Sequence, residues 1–126
     1  MSNADSGTIL PTEYTENELV SAVLDATNYI NLTLDLDLFF SRYELTIPEY
    51  VNIEVSTDGG TTYPNIIANL TNDVGYGTNF DFLSYDLSAY AGQANLRVRI
   101  RYYSEWGDGV AVDNIKLYGT TSINPL

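Results

Sequence analysis

The sequence has no cysteine and no histidine, and only five lysine and arginine residues. Without cysteine there is no disulfide framework, no thiolate nucleophile and no sulfur-ligated zinc, and the redox compartment stays open. Without histidine, Ser-His-Asp hydrolysis, His-ligated zinc and imidazole acid–base catalysis are excluded together. The five cations stand against 17 aspartates and glutamates, for a formal net charge of −12. Nucleic acid is therefore not an expected partner, because phosphates need cationic neutralisation. Docking on an anionic membrane surface is disfavoured for the same reason. No apolar run reaches the 18 residues of a membrane-spanning helix, so no membrane insertion is expected. The most apolar stretch, residues 32–40, is interrupted by Asp35 and Asp37. The acidity suits a soluble, exported protein or one that binds divalent cations.

What the chain does contain is β-forming sequence. Hydrophobic residues make up 44% of it, which argues against disorder, and eleven tyrosines and four phenylalanines join abundant Thr, Val and Ile. Val51, Ile53 and Val55 alternate with Asn52, Glu54 and Ser56, the period of a half-buried strand. Asp58-Gly59-Gly60 follows, a turn in which glycine takes positive φ without a Cβ clash, and Thr61, Thr62 and Tyr63 read as the start of the return strand. Leu32, Leu34, Leu36, Leu38 and Phe40 alternate with Thr33, Asp35, Asp37 and Phe39 in what reads as the longest strand, 31–40. Residues 80–87, 95–103 and 110–118 read as further strands, with Leu96, Val98, Ile100 and Tyr102 on one side of the second. In the last, the apolar phase slips between Val112 and Ile115, which predicts a β-bulge at Asp113-Asn114. Leu19, Val20, Val23 and Leu24 suit a short helix or a bent strand, with strand or extended chain the preferred reading; 25–28 read as a turn and 69–79 as a long loop. No helix of three turns is visible and there is no βαβ rhythm, so an all-β, antiparallel two-sheet β-sandwich is expected.

At 126 residues the chain fits one domain. Residues 1–17 read as polar and irregular, 18–119 as the folded domain and 120–126 as a soft tail. Met1-Ser2-Asn3-Ala4 has neither the charged nor the apolar region of a signal peptide. It reads as a cloning remnant, which predicts a domain cut from a longer chain.

Asp35 and Asp37 share a strand face at a separation of roughly 6–7 Å, nominally suitable for a paired-carboxylate glycosidase. The structural alternative is that they pair across one sheet face with the ladder Arg97, Arg99 and Arg101. Glu105, Asp108 and Asp113 gather around the only tryptophan, Trp106. Calcium takes six to eight oxygens, partly from backbone carbonyls, and such a loop could supply several. The alternative for Asp113-Asn114 is a bulge whose side chains bond the backbone. Tyr76, Tyr90, Tyr103 and Trp106 offer rings for sugar stacking, against the alternative of core and edge packing. Trp106, Tyr103 and Tyr76 are the candidate ligand-binding residues. Two Asn-x-Thr acceptor patterns, at Asn31 and Asn69, read as chance.

Ser56-x-Asp58-x-Gly60-x-Thr62-Tyr63 resembles the Asp-box, a hairpin stabiliser in which Asp58 accepts backbone N–H bonds across the turn. Ser56, Asp58, Gly60 and Thr62 are thus structural candidates. The order of three segments carries a wider resemblance: 56–63, then Tyr85-Asp86-Leu87-Ser88-Ala89-Tyr90-Ala91-Gly92-Gln93 with 96–102, then Val112-Asp113-Asn114-Ile115-Lys116-Leu117. Together with Leu19-Val20-Ser21-Ala22-Val23-Leu24-Asp25, they resemble the jelly-roll accessory modules of secreted bacterial proteins, of the cleaved-adhesin and choice-of-anchor type, related to MAM domains. The resemblance spans about residues 18–119. It departs at Tyr63, where the family usually has tryptophan, and in residues 1–17, where its usual N-terminal segment is replaced. It implies a jelly-roll sandwich at the cell surface or in the medium, non-catalytic, beside other domains of the same chain. It also implies a structural calcium ion near Asp113. Function is expected in adhesion, glycan binding or anchoring, through the loops 69–79 and 104–109. A purely structural spacer is the alternative, and a small glycan hydrolase using Asp35 or Asp37 the third.

Overall fold

The computed structural model describes residues 15–41, 48–104 and 110–121. Seven strands follow one another: β1 (Thr15–Val20), β2 (Thr33–Phe40), β3 (Glu49–Ser56), β4 (Asn65–Leu70), β5 (Asp81–Asp86), β6 (Arg97–Ser104) and β7 (Val110–Tyr118). A single 3-10 turn, Ser88–Tyr90, is the only helical element among the described residues. The strands form two antiparallel sheets, a four-stranded one in the order β1-β6-β3-β4 and a three-stranded one in the order β5-β2-β7. Every connection but β3–β4 passes from one sheet to the other, the winding of a jelly-roll β-sandwich. None of the described helices is long and apolar enough to cross a membrane.

Alternation in the sequence decides which side chains fill the space between the sheets. Leu34, Leu36, Leu38 and Phe40 of β2 are buried, and so are Val51, Ile53 and Val55 of β3 and Val98, Ile100 and Tyr102 of β6. The sheets meet where the Phe40 ring sets its edge against Tyr102 of the opposite sheet, centroids 6.1 Å apart. Leu32, Leu87, Leu96 and Ala26 complete the core from the connections. Glu49, at the mouth of this space, is buried and accepts the Tyr102 hydroxyl at 2.9 Å. At the domain's ends the Ile30 N–H donates to the Thr120 carbonyl at 2.8 Å, so the chain beyond β7 is held against 29–31. β1 begins at Thr15 and Thr121 bridges Tyr29, so pairing extends past both ends of the 18–119 core.

Four expectations need correction. The longest strand is β7, with nine residues, and β2 starts at Thr33. The return arm of the Asp-Gly-Gly hairpin is β4, which begins at Asn65 and not at Thr61. Asp58 captures the Thr62 N–H, and Pro64 has none, so 61–64 cannot join the ladder. Residues 69 and 70 belong to β4 and not to a loop. The aspartates of β2 do not pair with the arginines of β6, because the two strands lie in different sheets and both sets point outward. They occupy opposite outer faces of the sandwich.

Candidate functional site

The outer face of the three-stranded sheet carries the least expected side chains. Reading across β5, β2 and β7, the register aligns Phe82, Asp37 and Asp113 in one row and Ser84, Asp35 and Lys116 in the next. Asp86, Thr33 and Tyr118 form the row beyond. At the other end Phe39 of β2 meets the Phe80 ring, centroids 6.2 Å apart. Phe82 is 65% exposed, Tyr118 43% and Phe80 42%. Large apolar rings thus flank carboxylates on an open surface.

Hydrogen bonds fix this array. Asp35 accepts the Ser84 hydroxyl at 2.6 Å and the Tyr118 hydroxyl at 2.9 Å. That carboxylate holds the Tyr118 phenol above its ordinary range, chiefly by accepting its proton in a hydrogen bond. Asp37 accepts the Asn114 amide at 2.7 Å. Between Asp35 and Asp37 the partner strand advances from Lys116 to Asp113, one residue more than a regular ladder allows. This bulge sits on Asn114, at φ 52°, with its N–H bonded to the Asp113 carboxylate at 2.8 Å. It returns Asp113 to the outer face, directly across from Asp37. Lys116 lies 5.3 Å from the centre of the Tyr118 ring. Asp86, at the entry to the 3-10 turn, accepts the Ser88 N–H at 2.9 Å, and hydrogen bonding from Ser88 lowers its pKa.

The opposite face, on the four-stranded sheet, is built around an ion pair, although Arg97 Nε there is buried without a hydrogen-bond partner. Arg99 grips the Glu54 carboxylate with Nε at 2.7 Å and Nη2 at 2.5 Å, and reaches Glu18 at 3.4 Å. Glu54 is only 3% exposed, and its second oxygen accepts the Asn52 amide at 3.1 Å. Tyr63 lays its ring 4.0 Å from the Arg99 guanidinium carbon and covers the pair. Tyr63 reaches this place because the Asp-box turns the chain back. Ser56 Oγ accepts the N–H groups of Asp58 and Gly60 and donates to Asp58 at 2.6 Å. Asp58 in turn accepts the N–H and hydroxyl of Thr62 at 2.9 and 2.5 Å. Gly59 and Gly60 take φ of 75° and 102° there. The donors from Ser56 and Thr62 hold the Asp58 carboxyl well below the usual range.

No protein-family model matches this chain, and no curated protein aligns with it significantly.

Among the described residues, the candidate rings Tyr76 and Tyr103 do not converge. Tyr76 is 85% exposed on a turn closed by paired bonds with Asn79. Its loop is tied to β2 through Phe40 and Val74 and sets Gly75 against the Phe39 ring, at the aromatic end of the three-stranded sheet. Tyr103 lies on the four-stranded sheet, stacked on Tyr50 with centroids 5.3 Å apart, so it faces away from Tyr76. Trp106, Glu105 and Asp108 lie outside the described residues. Asp113 has one acidic neighbour across the ladder, Asp37, and no group of three acids fit to hold a metal forms among the described residues. Sequence reasoning missed Phe82, Phe80 and Tyr118 as surface rings. The signal for Phe82 was its alternation with Leu83 and Tyr85, which sets it on the side away from them.

Proposed function

We propose that this domain is a non-catalytic interaction module of a larger exported protein, and that it holds a glycan on the outer face of its three-stranded sheet. The observation that carries this reading is the exposure of Phe82, Phe80 and Tyr118 around Asp35 and Asp37 on one face. Sugar rings present a C–H face to an aromatic ring and hydroxyls to carboxylate or amide groups, and this surface offers both. Ser84, Asn114 and Tyr118 brace the carboxylates, so little rotamer freedom is lost on binding. Catalysis is not favoured, because both oxygens of Asp35 already accept donors from the sheet and the surface is open to water. The motif order, with its resemblance to choice-of-anchor modules, supports export and a place beside other domains of the same chain.

The test is retention on a glycan array, with the variants Phe82→Ala and Tyr118→Phe. Phe82→Ala is expected to remove retention by about tenfold or more, the loss of a stacking contact of roughly 1.5 kcal/mol. Trp106→Ala reports separately on the 104–109 loop. A wild-type domain retained on no glycan would leave the spacer role instead.

A further inference from the structure

Within the reading of a domain built into a larger exported chain, we infer a further function: the sandwich bears tension along its strands, with both terminal strands loaded in shear. The inference rests on where the chain enters and leaves the two sheets. β1 starts at Thr15 beside Ser104 and runs antiparallel to β6 until Val20 stands beside Arg99. β7 starts with Val110 beside Phe40 and ends with Tyr118 beside Thr33. The Phe40 ring packs against Tyr102, so the Phe40 end of one sheet lies over the Ser104 end of the other. Thr121, the last described residue, bridges Tyr29 beyond the Thr33 end. Entry at Thr15 and exit at Thr121 are therefore at opposite ends of the sandwich, separated by the length of β6, about 24 Å along the strand axis.

Tension applied through these two points draws β1 and β7 past their partners in opposite directions, each along its own axis. Inter-strand hydrogen bonds in an antiparallel pair stand perpendicular to the strands. Axial force thus strains a whole ladder at once, whereas force across the strands opens it one rung at a time. Both ladders continue beyond the strands themselves. After β1, the Ser21 N–H donates to the Val98 carbonyl at 2.9 Å and Ser21 Oγ accepts the Val98 N–H at 3.0 Å. Leu24 and Leu96 exchange both backbone bonds, at 2.7 and 3.0 Å, and the Ala26 N–H donates to the Gln93 carbonyl at 2.8 Å. After β7, the Ile30 N–H donates to the Thr120 carbonyl and the Thr120 N–H to the Asn31 side chain at 2.9 Å. Side chains add a further tie on the β1 side. Arg99 reaches Glu18 of β1 in one direction and Glu54 of β3 in the other, which links the edge strand to a strand two places away. The two loaded strands are edges of different sheets, so the packed core couples one ladder to the other.

The experiment is single-molecule pulling of the domain in two geometries. In the first, the handles are at the two chain termini. In the second, they are at the N-terminus and at Ala111→Cys, a unique thiol because the chain has no cysteine. Ala111 is exposed on β7 beside Phe39, at the Thr15 end of the sandwich, so the second pull peels both strands from that end. Forced unfolding reports the unfolding barrier and not the equilibrium stability. The terminal pull is expected to need a several-fold higher force at the same loading rate. The double variant Ser21→Pro/Ile30→Pro removes two donors far from where peeling begins. It should lower the terminal force and leave the peeling force as in the wild type. Equal forces in the two geometries would overturn the inference and leave the glycan reading standing, since array retention involves no load. A double variant that lowers both forces in proportion would also overturn it, because the loss would then be one of general stability and not of shear resistance.

Discussion

Glu54 shows how a single residue in this fold depends on its partners. A carboxylate that has lost nearly all contact with water costs several kcal/mol unless charge and hydrogen bonds replace the solvent. Arg99 supplies the fork, Asn52 the second donor and Tyr63 the lid. Removing Arg99 alone leaves the acid buried and unpaired. Arg99→Ala is therefore expected to destabilise the domain by about 3 kcal/mol, read from urea unfolding. The paired replacement Glu54→Met/Arg99→Leu should recover most of that loss, since no charge is then left behind. A double variant no more stable than Arg99→Ala would show that the arginine acts through packing under Tyr63 and not through the ion pair.

At the level of elements, the strands that were legible are those whose inward side chains are predominantly apolar. From Leu32 to Phe40 every second residue is buried, so periodicity alone defined β2 and its two faces. β4 was not legible. Its sequence Asn-Ile-Ile-Ala-Asn-Leu has no clean alternation, Ile66 is exposed, and its register with β3 shifts between Ile53 and Glu54. The candidate site was half legible for a related reason. That Asp35 and Asp37 share a face follows from a period of two, but which sheet contains β2 is set by long-range pairing that no local pattern encodes. Outward polar positions look alike on both sheets, which made an Asp–Arg ladder plausible. The bulge was legible because a gap of three apolar positions has no other place in a strand. It yields a prediction of its own. Asn114 has positive φ, which glycine tolerates and a β-branched residue does not. Asn114→Gly is expected to fold with a small loss of stability, and Asn114→Val to lose about 1–3 kcal/mol. Equal thermal midpoints for the two variants would mean that the bulge relaxes without a penalty.

Across the whole molecule, acid should weaken the fold through braced carboxylates on its surface. Asp25, Asp58 and Asp86 all have lowered pKa values, each caused first by a side-chain hydrogen bond, from Thr27, Ser56 and Ser88 respectively. A carboxyl lowered on folding stabilises the native state above its unfolded value, ordinarily near 3.8. That contribution is complete at neutral pH and disappears as the pH falls through the folded value. The difference in thermal midpoint between wild type and Asp58→Asn is therefore expected to be full at pH 7 and to shrink steadily below about pH 4. A difference unchanged down to pH 2 would remove Asp58 from this account. The order of the strands has a consequence for how quickly the molecule can form at all. Only β3 and β4 are neighbours both along the chain and in a sheet, so theirs is the one pairing that closes over a short loop. β2 pairs only with β5 and β7, and β1 only with β6, all far along the sequence. Such pairings incur loop-closure entropy before any contact compensates for it, which places the sandwich among slow folders, on a scale of milliseconds to seconds. The Asp-box turn is then the natural nucleus, and a ribosome must release nearly the whole domain before the first strand finds its partner.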